Sequence, residues 1–241
     1  MPGHSALKVF VGYDSREDIA WQVARHSLLR HADNDLEVIP LRQSVLRELG
    51  IYTRPLDRGS STEFSLTRFL TPYLAAQGGW VIFCDCDFLF TGDVRAVLKA
   101  LDNSKALYCV QHDYTPIHSV KMDGQQQATY PRKNWSSFML FNCAHPSTRK
   151  LTPELVNKET GAYLHRMQWA ADNEIGEIPY SWNFLEGWYD KFKSGTPKAV
   201  HFTRGGPWFE DWQDVDYGDL WRAERDEMEA HAGKPAMQAA R

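Results

Sequence analysis

Short, continuous apolar blocks alternate along this chain with stretches in which apolar residues recur at helical spacing. Residues 8–13 (KVFVGY) read as a first strand stopped by Gly12, and Ile19, Val23, Ser27 and Leu28 place one buried face on a helix that runs to about His31. Asp14 or Ser15 supplies its N-cap, with Glu17 and Asp18 favourable in the first turn. Residues 36–41 (LEVIPL) predict a second strand, and residues 43–49 a short helix closed by Gly50. Strand–helix–strand order of this kind favours an α/β fold with a parallel sheet, and open sheets of that class bind ligands beyond the carboxyl ends of their strands. Gly12 and Tyr13 are therefore candidate nucleotide contacts, although Gly12 also fits an ordinary strand-to-helix turn.

The block that organises the rest is 80–90 (WVIFCDCDFLF), entered through Gly78 and Gly79. An unbroken apolar run fits a strand covered on both faces. Side chains alternate along a strand, so Asp85 and Asp87 face one way while Cys84 and Cys86 face the other. Two adjacent carboxylates repel and are costly to desolvate, so something positive must compensate. A hard divalent cation, Mn²⁺ or Mg²⁺, does so and can add substrate phosphate oxygens. A solvated or helix-capping pair of aspartates is the plainer alternative. Residues 198–202 (KAVHF) predict a last short strand that ends at His201, just before the tight turn Gly205-Gly206-Pro207. Two carboxylates and an imidazole suit Mn²⁺ with positions left open for diphosphate oxygens.

Between these blocks, residues 62–77 read as a helix that Pro72 kinks or divides. Arg68 falls near its apolar face, where a half-buried guanidinium needs an anionic partner, either a structural carboxylate or a bound phosphate. A turn at 91–93 caps a helix to Leu101, and residues 105–110 and 136–141 form further strands, the second ending at Asn142. Residues 111–134, long, polar and aperiodic, form either a binding lid or a mobile insertion. Thr152 with Pro153 and Glu154 starts a helix. Beyond Asp219 the chain is charged and alanine-rich, which predicts one domain over 1–221 and a helical or disordered tail over 222–241.

Composition changes this picture mainly by exclusion. With 241 residues the chain can bury a sizeable core as one domain. A net charge of -4 and no basic run argue against nucleic acid as a partner. No apolar run approaches the roughly 18 residues of a membrane span, and the first residues lack the charged-then-apolar layout of a signal peptide. The four cysteines sit in or beside apolar strands and read as reduced, buried side chains. The expected location is the cytoplasm, free or peripheral to the inner membrane.

Several motifs then occur together and in order: VFVGYD (9–14), FSLTRFLTPYL (64–74), DCDFLFTGDV (85–94), WSSFMLFN (135–142), Trp182-Asn183 and HFTRGGPW (201–208). In this combination the chain resembles family 8 glycosyltransferases of the glycogenin and lipopolysaccharide galactosyltransferase group, particularly their short bacterial branch, over roughly residues 7–212. The resemblance implies a GT-A, Rossmann-like fold with a mixed, mainly parallel sheet flanked by helices. It implies metal-dependent transfer of a sugar from a nucleotide diphosphate, usually UDP, to a sugar or glycan acceptor, with retention at the anomeric carbon. Carried over, Asp85, Asp87 and His201 hold the cation, and Asp85, Arg68 and Asp172 are the catalytic candidates. Gly12, Tyr13, Asp14, Arg68, Cys86, Lys133, Asn142, Arg204, Gly205, Gly206 and Trp208 make up the expected substrate-binding set.

Three departures from the family pattern stand out. HxxGxxKPW becomes HFTRGGPW, one residue shorter and without its phosphate-contacting lysine, for which Arg204 or the glycine amides are substitutes. NSG becomes Trp135-Ser136-Ser137, which predicts a more crowded acceptor side. The DQD segment has no clear copy, and Asp172 is an approximate stand-in. A haloacid dehalogenase-type phosphohydrolase also uses a strand ending in DxD, but on its first strand and with Thr or Val where this chain has Leu89. A non-catalytic nucleotide-sugar binding protein is the remaining alternative.

Overall fold

A computed structural model describes residues 6–56, 61–76, 78–113 and 131–232. Five β-strands of one large sheet run the same way and one runs against them. The chain opens with β1 (Leu7–Gly12), α1 (Asp18–His31), β2 (Leu36–Leu41) and α2 (Gln43–Glu48), then α3 (Thr71–Ala75) and β3 (Trp80–Cys84). β1 pairs in parallel with both β2 and β3, through registers such as Val9↔Val38 and Val11↔Cys84. The helix start falls where the capping chemistry puts it: Asp14 accepts the Arg16 N–H and opens a 3-10 turn, Ser15–Glu17, that leads into α1.

Next come β4 (Phe88–Phe90), β5 (Leu107–Cys109), β6 (Phe138–Asn142), α4 (Pro153–Lys158), α5 (Gly161–His165), β7 (Ile175–Glu177), β8 (Phe184–Leu185), α6 (Lys191–Ser194), β9 (Ala199–His201) and α7 (Gly218–Ala232). The large sheet has the order β2-β1-β3-β6-β5-β7, with β6 antiparallel to its neighbours β3 and β5. A three-stranded sheet, β4-β9-β8, stands beside it. Its β4–β9 register sets Phe88 opposite His201, which brings the chain after Asp87 against the end of β9.

Both faces of the large sheet are buried under aromatic and aliphatic side chains: Phe10, Val11, Ile82, Phe83, Phe138, Leu140 and Phe141 are all 3% exposed or less. Gly12 lies in this packing, because a Cβ there would meet the Phe64 ring at 2.5 Å. The region 62–77 departs from the single kinked helix expected. It is a 3-10 turn, Thr67–Leu70, followed by α3 with Pro72 in its first turn, where the missing N–H costs no helical hydrogen bond. The stretch after Asp93 is likewise 3-10, Val94–Ala100. Thr152 caps α4 through the Leu155 N–H, with Pro153 at its start.

A second core joins Val23 of α1 to Leu89, Val200, Phe202 and Trp221. Trp221 lies on α7, so that helix packs on the body of the domain and a boundary at 221/222 falls inside it. No helix among the described residues is long and apolar enough to cross a membrane.

Candidate active site

The carboxyl ends of β1 and β3 point to the same edge of the sheet, and β3 delivers Asp85 and Asp87 there. Asp85 is held by its own N–H, which donates to the Ser137 carbonyl at 2.9 Å, and Asp87 by its carbonyl, which accepts from the Phe202 N–H at 3.0 Å. His201 arrives from β9, with Nε2 3.3 Å from Asp87 Oδ2. One ligand atom from each of Asp85, Asp87 and His201 lies within 4.8 Å of the others. Two hard carboxylates and a borderline imidazole at that spacing fit Mn²⁺ or Mg²⁺ and leave coordination positions for phosphate oxygens. The His201 ring stacks on Phe88, with centroids 4.4 Å apart and planes at 17°. Its Nδ1 lies 2.9 Å from Asn183 Oδ1.

The acidic pair is balanced from the other side by Arg68. Its Nη1 lies 2.8 Å from Asp85 Oδ1 and donates to the Ser136 carbonyl, also at 2.8 Å. The structure thus answers the question of its anionic partner with an aspartate of the pair itself. These groups line a cleft of about 130 Å³, whose wall also includes Glu17, Ser136, Ser137, His165, Arg204 and Gly205. His165 Nδ1 is 2.8 Å from Ser136 Oγ. Burial, with the Arg68 charge added, pushes the His165 pKa down to about 3, so the imidazole is neutral. The turn Trp135–Ser137 is a hub: its backbone holds Arg68 and Asp85, and its hydroxyls reach His165 and Asn183. The Ser137 side chain is 3% exposed and engaged in these bonds, so the extra hydroxyl is built into the cleft wall.

Other members of the expected set lie elsewhere. Asn142 ends β6, and because β6 is antiparallel that end is the edge away from Asp85, where its amide donates to the carbonyls of Asn103 and Lys105. Asp172 precedes β7, a strand parallel to β5, and so leaves the carboxyl edge; its side chain is 85% exposed and pairs with Arg132 at 2.5 Å. Cys86 points into the core at 1% exposure, and burial raises its thiol pKa well above normal. Trp208 packs on Phe202 and Trp221 in the second core. A Cβ on Gly206 would meet the Trp208 ring at 2.0 Å, which accounts for that glycine structurally.

Asp14 is fully buried. Desolvation raises its pKa, but hydrogen bonds from Arg16 and the Glu63 N–H outweigh that and hold it below the usual range. Tyr13 lies beneath the Arg42 guanidinium, 3.5 Å from ring centroid to carbon, and donates to Asp18. Lys133 is buried and does not line the cleft. Arg204 does line it, while its guanidinium pairs with Glu186 at 2.9 Å and lies over Trp212. Among the residues that motif reading left without a role are Ser137, His165 and Asn183; Ser137 and Asn183 carried a signal, in the WSSFMLFN motif and the Trp182-Asn183 pair, and His165 carried none.

A six-stranded mixed sheet with an acidic pair at its switch-point edge is the arrangement of the GT-A glycosyltransferases, and comparison with solved structures bears out the fold. The chain is similar to the bifunctional glycosyltransferase WbbM (TM-score 0.67, 16% identity, 96% of this chain and 52% of that one). It is similar also to the glycosyltransferase GlyE of Streptococcus pneumoniae TIGR4 (0.59, 16%, 98% and 66%) and to the galactosyltransferase LgtC (0.59, 12%, 92% and 96%). It therefore spans about half of WbbM and about two thirds of GlyE, but nearly all of LgtC. No family model matches the chain. It belongs to the family of Protein CDI of Arabidopsis thaliana, with 50% identity over 236 residues, 97% of this chain and 91% of that protein.

Proposed function

We propose that the chain transfers a hexosyl group from a nucleotide diphosphate donor, UDP-linked, to a sugar or glycan acceptor, with retention and with Mn²⁺ or Mg²⁺ held by Asp85, Asp87 and His201. The observation that carries this reading is the meeting of those three side chains at the carboxyl edge of a GT-A sheet. The bound cation supplies neutralisation of charge on the departing diphosphate, so that the glycosidic bond can break without a strong acid. Arg68 adds positive charge on the Asp85 side, and neutral His165 and Ser136 offer hydrogen bonds to sugar hydroxyls. The carboxylates among the described cleft residues are Glu17, Asp85 and Asp87. With two of them committed to the cation, same-face attack is the favoured route to retention. The structure of LgtC was solved with donor and acceptor sugar analogs, which supports the same two kinds of partner here. Four free, buried cysteines support a reducing, cytoplasmic setting.

One observation favours a second reading, a nucleotide-sugar binding protein without turnover. Arg204, the substitute for the family's phosphate lysine, is already tied to Glu186. A screen of nucleotide sugars with and without Mn²⁺ separates the two. Metal-dependent release of free UDP from one donor is expected of the transferase, whereas binding without release would favour the second reading. The Asp87→Ala variant is expected to lose metal-dependent donor binding while melting near the parent temperature, since its backbone bond to Phe202 survives the change. UDP affinity indifferent to Mn²⁺ in the parent protein would overturn the metal-dependent transferase.

A further inference from the structure

Behind the His201 ring lies a chain of buried, uncharged groups whose hydrogen-bonding options are almost all closed. The Asn134 carbonyl can only accept, so the Ser137 hydroxyl, 2.7 Å away, must donate to it. That uses the hydroxyl's one hydrogen. Toward Asn183 Nδ2, 2.8 Å away, Ser137 Oγ can then only accept. The amide is thereby oriented with its NH₂ toward Ser137 and its Oδ1 toward His201. Oδ1 has no hydrogen, so His201 Nδ1 at 2.9 Å must carry one. At a pH where the imidazole is neutral its single N–H is then the Nδ1 one, and Nε2 presents a lone pair 3.3 Å from Asp87 Oδ2. In that form Nε2 and the Asp87 carboxylate can share one cation.

We infer that Ser137 and Asn183 form a positioning relay that fixes the proton of His201 on Nδ1 and so reserves Nε2 for a cation. The inference rests on the metal-site reading above and adds two residues to it. The relay is well placed for the task. Asn183 is 0% exposed, His201 2% and Ser137 3%, so solvent is not at hand to replace a lost partner. The stack on Phe88 fixes the plane of the ring, and the relay fixes which edge of it carries hydrogen. A backbone carbonyl, whose chemistry no substitution alters, is the fixed end from which the whole sequence of donors follows. Outer partners of this kind set the tautomer of metal-binding histidines, and their loss costs about 10- to 100-fold in metal affinity.

The test uses the full chain, ¹⁵N-labelled and metal-free at about pH 8.5, well above the ordinary histidine range. Long-range ¹H–¹⁵N correlations then report which ring nitrogen of His201 is protonated, and titration with Mn²⁺ followed by the EPR signal of the free ion reports affinity. The parent is expected to show the Nδ1–H form. Asn183→Leu should move the ring toward the Nε2–H form and weaken Mn²⁺ at least about tenfold. Ser137→Ala, the gentler change and the one that decides if the leucine variant does not fold, should give mixed tautomers and a smaller loss. Asn183→Asp keeps an acceptor against Nδ1 and should retain the parent tautomer, a rescue that a merely structural role does not predict. An Nε2–H form in the parent overturns the relay, as does an unchanged tautomer with Mn²⁺ affinity within about twofold in both Asn183→Leu and Ser137→Ala. A parent with the Nδ1–H form that binds no Mn²⁺ would instead sink the metal reading and leave the relay standing.

Discussion

Arg68 is the residue on which the electrostatics of the cleft turn. Its guanidinium is 6% exposed and faces Asp85 at 13% exposure, so neither charge is well served by water. Removing one member of such a pair strands the other, a loss of roughly 3–5 kcal/mol in buried settings. A divalent cation beside Asp85 can take over part of the role that Arg68 plays in the free protein. Arg68→Met is therefore expected to lower the melting temperature in the absence of metal, and Mn²⁺ should restore more of it than the same concentration adds to the parent. Differential scanning calorimetry with and without Mn²⁺ measures both shifts. An equal metal-induced shift in parent and variant would show that Asp85 and the cation do not meet. The sequence left the Arg68 partner open between a carboxylate and a phosphate because the answer lies 17 residues downstream, in a contact that no local pattern encodes.

At the scale of elements, what could be read was what is local. The parallel β-α-β start, the Asp14 and Thr152 caps, the aspartate pair at the end of β3 and His201 at the end of β9 each follow from spacing, glycine placement or capping chemistry. What could not be read was strand direction. The apolar run of β6 looks the same whichever way it runs, so Asn142 at its end was placed with the ligand; the antiparallel pairing puts Ser136 and Ser137, at its start, beside Asp85 instead. At the end of the chain charge and alanine suggest a helical or disordered tail, and α7 runs through Ala232. Trp221 and Glu224 are the most buried of the α7 residues that tie it to the domain. Trp221 is 1% exposed against Trp208, and Glu224, 4% exposed, accepts from Arg30 and lies 2.7 Å from His26 Nδ1. Trp221→Ala should cost about 3–5 kcal/mol, as large-to-small changes of buried aromatics do. That is a large part of a typical domain's stability. Urea unfolding measures it. A loss below about 1 kcal/mol would mean that α7 is dispensable to the domain.

For the molecule as a whole, two histidines with depressed pKa, buried His112 and half-buried His165, shape how stability varies with acidity. His112 is 5% exposed, with Nδ1 2.7 Å from the Tyr189 hydroxyl, and burial with the neighbouring His201 pushes its pKa down to about 3. His165 is depressed to about 3 as well, by burial and by Arg68. In the unfolded chain both return to the ordinary value of 6.5. Between those limits the unfolded state binds more protons than the folded one, so stability is complete above about pH 6.5 and is lost as pH falls toward 3. Each histidine contributes a slope approaching 1.4 kcal/mol per pH unit in the middle of that window. Carboxylates with lowered pKa, such as Asp14, act in the same direction, but only at lower pH, once they begin to protonate. Between about pH 6.5 and 5 the histidines therefore dominate. Urea unfolding in steps across that range should show stability falling with pH in the parent. The His112→Gln variant, which keeps a polar group near Tyr189 without a proton to gain, should lose close to half of the slope. A parent whose stability is flat from pH 7 to pH 5 would mean that both rings reach water and titrate in the folded chain as they do in the unfolded one.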